Sequence, residues 1–271
     1  MRNFTFRLLY LLTSLFFALT ALPLLLLPGR RHLMIWLQKY SRVMVYWMRV
    51  VQNIEIEVRG KSIVPHKGCI IAAKHQSWGD GYAIFSEVPD LAIVTGDHLE
   101  KIPLVGFILR KMEAVVVDNC GGATARERLV DQELSRAKEK RRKILIYPEG
   151  HLAPVGYHYR YKKGVFHMYK AYDCPVIPVA TNLGLMWPGE EWALKPGKAV
   201  LEFLEPIPPG LEKETFMQIL EERIETASLA LLPEDFELPK YRELEYDKAT
   251  DSGIPIIPAD APEYATQNNQ S

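Results

Sequence analysis

The residues best suited to chemistry are a histidine and an aspartate five positions apart, His75 and Asp80. They follow the apolar run Cys69–Ala73, which predicts a buried strand, and they precede a predicted helix. At such a turn the carboxylate can hold one imidazole nitrogen as N–H, so that the other nitrogen can take a proton from a substrate hydroxyl. Since this spacing also arises by chance, the pair predicts a general base only together with other features.

A second carboxylate lies where another predicted strand ends. Glu149 and Gly150 belong to the turn Tyr147-Pro148-Glu149-Gly150, directly after the apolar residues from Ile144 onward. Ligands of open α/β sheets collect beyond the carboxyl ends of strands, so this turn is a candidate to line the same site as His75. The alternative is an ordinary proline turn with a solvated glutamate.

Short apolar runs alternate with helical patterns after residue 52, which favours an α/β domain with a mixed, largely parallel central sheet. Helices are predicted at about 79–87, 102–112, 124–141, 164–172 and 212–231. The strands are predicted at Ile54 to Val58, Cys69 to Ala73, Leu91 to Val94, Ala114 to Val117, Ile144 to Tyr147, Val176 to Ala180 and Ala199 to Leu204. Such a sheet would bring the two turns to one edge.

The N-terminal segment has the composition of a membrane anchor. No charged residue occurs from Leu8 to Gly29, and about 20 apolar residues suffice to span a bilayer. Pro23 would kink such a helix, so a single span and a helical hairpin with the next segment both stay open. Residues 33–52 combine aromatic and cationic side chains, which predicts a helix at a membrane interface or, alternatively, an ordinary amphipathic helix of the core.

Charge is unevenly distributed although the net charge is zero. Residues 1–60 hold eight Lys/Arg and two Asp/Glu, whereas residues 211–271 hold five and fourteen. The basic, apolar start suits an anionic membrane surface, and nothing in the pattern indicates a nucleic-acid partner. Three cysteines without CxxC spacing predict neither a disulfide framework nor a zinc site, so a reducing cytoplasm is expected.

We therefore divide the chain into three parts. Residues 1–52 form the anchor and interfacial helix, residues 53–232 the α/β domain, and residues 233–271 an acidic, proline-containing tail that is partly disordered.

Taken in order, the motifs resemble those of the PlsC-type glycerolipid acyltransferases, the family of 1-acyl-sn-glycerol-3-phosphate acyltransferases. The resemblance covers roughly residues 55–210. It includes the HxxxxD block from His75 to Asp80, the segment from Lys101 to Asp118, the PEG block from Pro148 to Gly150 and the apolar-proline block from Val176 to Val179. It implies a glycerol-3-phosphate acyltransferase-like α/β domain behind an N-terminal membrane helix or helical hairpin.

The resemblance also implies roles. His75 would be the general base on the acceptor hydroxyl and Asp80 would orient it, while Glu149 and Gly150 would contact the acceptor. The acyl donor would be acyl-CoA or acyl-carrier protein, with no metal or cofactor, and the partners would be a lipid acceptor and the membrane. We expect the cell inner membrane, with the catalytic domain on the cytoplasmic face. Ser77 as a nucleophile is a weaker alternative, because no GxSxG elbow surrounds it.

Three departures from the family pattern concern the acceptor. Lys74 replaces a common asparagine, Asn119 stands where arginine is usual, and His151-Leu152 replaces Thr-Arg. A guanidinium fork matches a phosphate, so the missing arginines leave open both lysophosphatidic acid and a phosphate-free acceptor such as a lyso-ornithine lipid. A catalytically silent lipid-binding protein is the rival from another class. Candidate replacements for the phosphate contacts, each otherwise a surface charge, are Lys74, Arg126, Arg128, Arg160, Lys162 and Lys163.

Overall fold

The structure is a computed structural model that describes residues 1–117, 133–189, 192–240, 242–246 and 255–256. Its helices are α1 (Arg2–Leu26), α2 (Arg31–Gln52), α3 (Gly79–Glu87), α4 (Asp97–Glu100), α5 (Val105–Met112), α6 (described over 133–139), α7 (Gly164–Tyr172) and α8 (Lys213–Ala230). Its strands are β1 (Ile54–Arg59), β2 (Cys69–Ala73), β3 (Leu91–Gly96), β4 (Val115–Val117), β5 (Lys143–Ile146), β6 (His158–Tyr159), β7 (Val176–Thr181), β8 (Gly197–Phe203), β9 (Glu243–Tyr246) and β10 (Pro255–Ile256).

Seven strands form one sheet in the order β1-β8-β7-β2-β5-β3-β4. Every neighbouring pair is parallel except β7 with β8, so the predicted mixed, largely parallel sheet is confirmed. Strand β2 is buried throughout, because helices cover both faces of the sheet. Its residues Ile70 and Ala72 pack on the side of α6, α7 and α8, whereas Cys69, Ile71 and Ala73 pack on the side of α3.

The parallel pairing of β2 with β5 places the candidate residues. Ala72 is in register with Ile146, so both strands end at the same edge of the sheet. The chain then continues from β2 into residues 74–80 and from β5 into residues 147–150. The sheet therefore brings the two predicted turns together.

Helices α1 and α2 form an antiparallel hairpin. Arg2 Nε donates to the carbonyl of Val51 at 3.0 Å, and Trp47 Nε1 donates to Thr13 Oγ1 at 3.1 Å. Helix α2 lies against α3, where Gln38 Nε2 donates to the Ser86 carbonyl at 3.2 Å. The two helices therefore pack on each other, and α2 also packs on the α/β domain through α3.

Helix α1 has two faces of different exposure. Phe6 is buried and meets Trp187 edge-on, with ring centroids 5.5 Å apart, so the start of α1 docks on the domain. Among the described helices, α1 is the one long and apolar enough to cross a membrane. Its other face exposes Phe4, Leu8, Leu11, Leu12, Leu15, Phe16, Leu19, Leu22 and Leu26.

The first part of the segment predicted to be a C-terminal tail is folded. Strand β9 pairs in parallel with β6, and Leu244 is buried. Arg242 Nε donates to the carbonyl of Gly156 at 2.9 Å. Residues 242–246 therefore pack on the domain, because the short strand β6 leaves an edge with which a later strand can pair.

Candidate active site

The predicted dyad is assembled at the exit of β2. His75 Nδ1 lies 3.2 Å from Asp80 Oδ2, which also accepts the amide hydrogens of Gln76 at 2.7 Å and Ser77 at 2.8 Å. Asp80 lies in the first turn of α3, and its side chain is fully buried, whereas that of His75 is 21% exposed. The aspartate thus fixes both the turn and the imidazole, and the imidazole is the member that reaches solvent.

Tyr147 stacks on the imidazole, a contact that the sequence did not indicate. The ring centroids of His75 and Tyr147 are 3.8 Å apart and the planes differ by 13°. Burial raises the pKa of Tyr147 well above its ordinary value, and the nearby Asp80 charge adds to the effect, so the side chain stays a neutral phenol. The stack therefore sets the plane of the imidazole without adding charge.

Glu149 is buried and turned inward. Its Oε2 accepts the Tyr159 amide at 2.9 Å, its Oε1 lies 3.5 Å from the His75 amide nitrogen, and Lys74 Nζ lies 3.2 Å from the carboxylate. Burial raises the pKa of Glu149, although the Lys74 charge opposes the shift. That this carboxylate contacts the acceptor stays a prediction; in the structure it binds backbone amides and a lysine.

Lys74, predicted to contact a phosphate or headgroup, lies inside the protein among acceptors of the chain itself. Its side chain is 1% exposed, and Nζ donates to Glu225 Oε1 at 2.9 Å, to the Tyr157 carbonyl at 3.0 Å and to Glu149 at 3.2 Å. Three acceptors match the three N–H donors of an ammonium group. Sequence reasoning missed Glu225 because it lies 151 positions away from Lys74.

Gly150 and Lys162 form the rim of the site beside the PEG turn. Gly150 has a φ of 74°, in the left-handed region, and a Cβ there would lie 2.6 Å from Lys162 Nζ. Lys162 Nζ lies 3.1 Å from His151 Nε2, and the Lys162 amide donates to the Pro148 carbonyl at 2.8 Å. Lys162 is therefore a predicted phosphate contact that is both exposed and held against the PEG turn.

The other candidates divide into three groups. Arg160 and Lys163 are exposed on either side of Tyr161 and Lys162. Ser77 is buried, and its Oγ accepts the Gly79 amide at 3.0 Å, so its hydroxyl is already held inside the turn. Asn119, Arg126 and Arg128 lie outside the described residues, as do Cys120 and the start of the predicted 124–141 helix.

This arrangement fits general-base chemistry on a hydroxyl. An oriented imidazole lies partly exposed at a sheet edge, and the carboxylate beside it is buried and hydrogen-bonded. Within the described ranges, no group of three or more His, Cys, Asp or Glu side chains is placed to hold a metal ion.

Comparison with known proteins gives consistent matches. Residues 55–182 match the Acyltransferase family model. The chain is 31% identical over 172 residues to the 1-acyl-sn-glycerol-3-phosphate acyltransferase of Pseudomonas aeruginosa, covering 64% of this chain and 66% of that protein. It is 25% identical over 111 residues to the lyso-ornithine lipid O-acyltransferase of the same organism, covering 41% and 42%. The aligned part thus spans less than two thirds of either relative.

A solved structure has the same fold. The 1-acyl-sn-glycerophosphate acyltransferase PlsC from Thermotoga maritima superposes with a TM-score of 0.65 at 24% identity, covering 85% of this chain and 98% of that one. Since the covered part is larger than residues 55–182, the likeness extends beyond the family match.

Proposed function

We propose that this protein transfers a fatty acyl group from a thioester donor to the free hydroxyl of a lysolipid, and the match of residues 55–182 to the Acyltransferase family model supports this proposal. The donor is acyl-CoA or acyl-carrier protein. The observation that carries the proposal is the His75–Asp80 pair, with its imidazole held and partly exposed at the sheet edge.

In the proposed reaction, His75 acts through Nε2. This nitrogen takes the proton of the acceptor hydroxyl as its oxygen attacks the thioester carbonyl carbon. The carbon–sulfur bond then breaks, the ester forms, and the leaving thiolate takes the proton back from the imidazolium. Asp80 keeps the proton on Nδ1 and stabilises the charged ring. No acyl-enzyme is needed.

For the acceptor, we propose 1-acyl-sn-glycerol-3-phosphate, which gives phosphatidic acid as the product. The support is Lys162 beside His151 and Gly150, a cation at the rim next to the PEG turn, together with the name of the 31% identical relative. A second candidate is a phosphate-free acceptor such as a lyso-ornithine lipid. It is favoured by Leu152 in place of arginine and by the match to a lyso-ornithine lipid acyltransferase.

An acceptor assay tests the proposal. The purified full chain is given labelled acyl-CoA or acyl-carrier protein, with lysophosphatidic acid and lyso-ornithine lipid in separate reactions. Lys162→Met should raise KM for lysophosphatidic acid roughly tenfold to a hundredfold, because a charge-assisted contact contributes about 1.5–3 kcal/mol. The matched control is Lys170→Met, an exposed lysine of α7 outside the candidate set, which should leave KM unchanged.

Three other results are informative. Acylation of lyso-ornithine lipid alone would establish the phosphate-free alternative. An equal effect of the two lysine variants would reject the role of Lys162. A folded protein that acylates neither lipid would be the catalytically silent lipid-binding form.

We also propose that the α1–α2 hairpin holds the enzyme in the inner membrane, with the domain on the cytoplasmic side. The support is the exposed apolar face of α1 together with the exposed Arg7 and Arg31, which suit anionic lipid. Leu15→Asp and Leu19→Asp should each weaken binding to anionic vesicles roughly tenfold, because a charged side chain is costly inside the bilayer. Leu238→Asp, at an equally exposed leucine far from α1 in sequence, is the control. Unchanged flotation of the α1 variants would refute this attachment.

A further inference from the structure

We infer that Lys74, Glu149 and Glu225 form a positioning centre, here called the site cluster, which holds the backbone of His75 in place for acyl transfer. The inference rests on the proposed function. It goes further in assigning helix α8, which lies outside the family-matched residues, to the catalytic apparatus.

Every charged member of the site cluster is paired. Lys74 Nζ reaches both carboxylates, Tyr161 OH donates to Glu225 Oε1 at 2.9 Å, and Arg242 Nη2 lies 3.6 Å from Glu225 Oε2. Two cations therefore face two carboxylates. Buried charge is tolerated only when it is matched in this way, so the cluster specifies the relative positions of the elements that carry it.

The site cluster reaches His75 through backbone amides. Glu149 Oε1 lies 3.5 Å from the amide nitrogen of His75, and Asp80 accepts the next two amides, those of Gln76 and Ser77. Three successive N–H groups thus point to two buried carboxylates. The His75 carbonyl accepts the Ala153 amide hydrogen at 2.8 Å, so both the N–H and the C=O of His75 have partners.

Lys74 is what allows Glu149 to serve in this way. Burial raises the pKa of Glu149 and the Glu225 charge adds to the shift, whereas Lys74 opposes it. Without the ammonium group, two buried carboxylates would face each other, and one of them would take up a proton or turn away. The amide of His75 would then lose its acceptor, and the imidazole would lose its fixed position.

The test compares variants of the full chain. Lys74→Met should lower kcat roughly tenfold to a hundredfold with KM changed by less than about twofold, because misplacing a base affects the transition state more than binding. Glu225→Gln leaves Lys74 paired with Glu149 and should lower kcat by roughly threefold to tenfold. Glu222→Gln, exposed on the same helix, is the control that should change neither constant.

Kinetic constants are measured per folded molecule, well below the melting temperature of each variant. A purely structural cluster would lower the melting temperature and leave kcat intact, and that result for both variants would overturn the inference. Lys74→Arg keeps the charge and the donors and should restore most of kcat. If Lys74→Met does not fold, the kcat of Glu225→Gln alone tests the inference.

Failure of the inference can be told apart from failure of the proposed function. If wild type acylates lysolipid and both variants have the wild-type kcat, only the positioning role of the site cluster is rejected. A folded wild-type protein that acylates no lysolipid rejects both.

Discussion

Strand β5 has an ionic cluster at each end, and the two clusters contact different parts of the molecule. Beyond its carboxyl end lies the site cluster of Lys74, Glu149 and Glu225. Before its first residue lies Arg142, which donates to the carbonyls of Met112 at 2.7 Å and Glu113 at 3.0 Å. Arg142 joins Arg30, Asp90 and Glu113 in what we call the hairpin cluster.

The cations are equally buried, with Lys74 1% and Arg142 0% exposed. The carboxylates are not, because Asp90 is 48% exposed while the Glu149 side chain is fully buried. The larger difference is in what each cluster touches. The hairpin cluster joins the α1–α2 turn to the sheet, whereas the site cluster contacts the His75 amide. Buried charge alone therefore does not identify a functional site. A buried ionic cluster indicates such a site when it also contacts the reacting residue.

Arg142→Met tests this contrast most strongly. It should lower the free energy of unfolding by about 3 kcal/mol, the low end for breaking a buried ion pair, because Arg30 remains beside both carboxylates. Turnover per folded molecule should not change. Chemical denaturation and kinetics measure the two quantities, and a tenfold loss of kcat would show that the clusters do not differ in function.

Asp90→Asn should have a smaller, pH-dependent effect. Burial alone would raise the pKa of Asp90, but Arg30 and Arg142 lower it below its ordinary value. The stabilisation by Asp90 is therefore present above about pH 4 and is lost as the pH falls through the lowered pKa. At pH 7 the variant should lose about 1–2 kcal/mol, since the group is half exposed.

Denaturation curves between pH 7 and pH 3 measure this loss. The difference between wild type and Asp90→Asn should narrow at the acid end, and Asp235→Asn, at an exposed aspartate, should show no such trend. A difference that grows in acid would contradict the assignment.

Tyr147 is an uncharged contact of His75, and its variants test whether stacking as well as charge positions the imidazole. Tyr147→Leu removes the stacked ring and should lower kcat per folded molecule roughly fivefold to tenfold, about the contribution of one aromatic pair. Tyr147→Phe keeps the ring and should stay within about twofold of wild type. Steady-state kinetics on both variants is the measurement. Equal loss in the two would mean that the hydroxyl, rather than the stack, matters.

Much of the fold could be predicted because its signals are local. The apolar run of β2 and the helix from Gly79 to Glu87 have the predicted bounds. His75 and Asp80 meet because a strand exit and a helix entry are adjacent in sequence. The helix predicted at 102–112 begins only at Val105, because Pro103 restricts the residue before it and Leu104 has a φ of 70°.

The features that could not be predicted depend on residues that lie far apart in the sequence. Lys74 lies between Glu149 and Glu225 of α8, and no local pattern connects these three residues. One signal was available, since Glu225 directly follows Ile224, which is buried together with Phe216 and Leu220 on the same helix. Strand β6 has only two residues, too few for an alternating pattern, so the pairing of the C-terminal segment could not be seen.

The most direct test of the central claim is acyl transfer by His75→Ala. The full chain is assayed with labelled acyl-CoA or acyl-carrier protein and lysophosphatidic acid beside wild type and His66→Ala, at an exposed histidine. We predict a loss of at least about 10²-fold for His75→Ala, the contribution of a general base, with folding and membrane attachment retained. His66→Ala should match wild type. Turnover by His75→Ala at the wild-type rate would contradict the account.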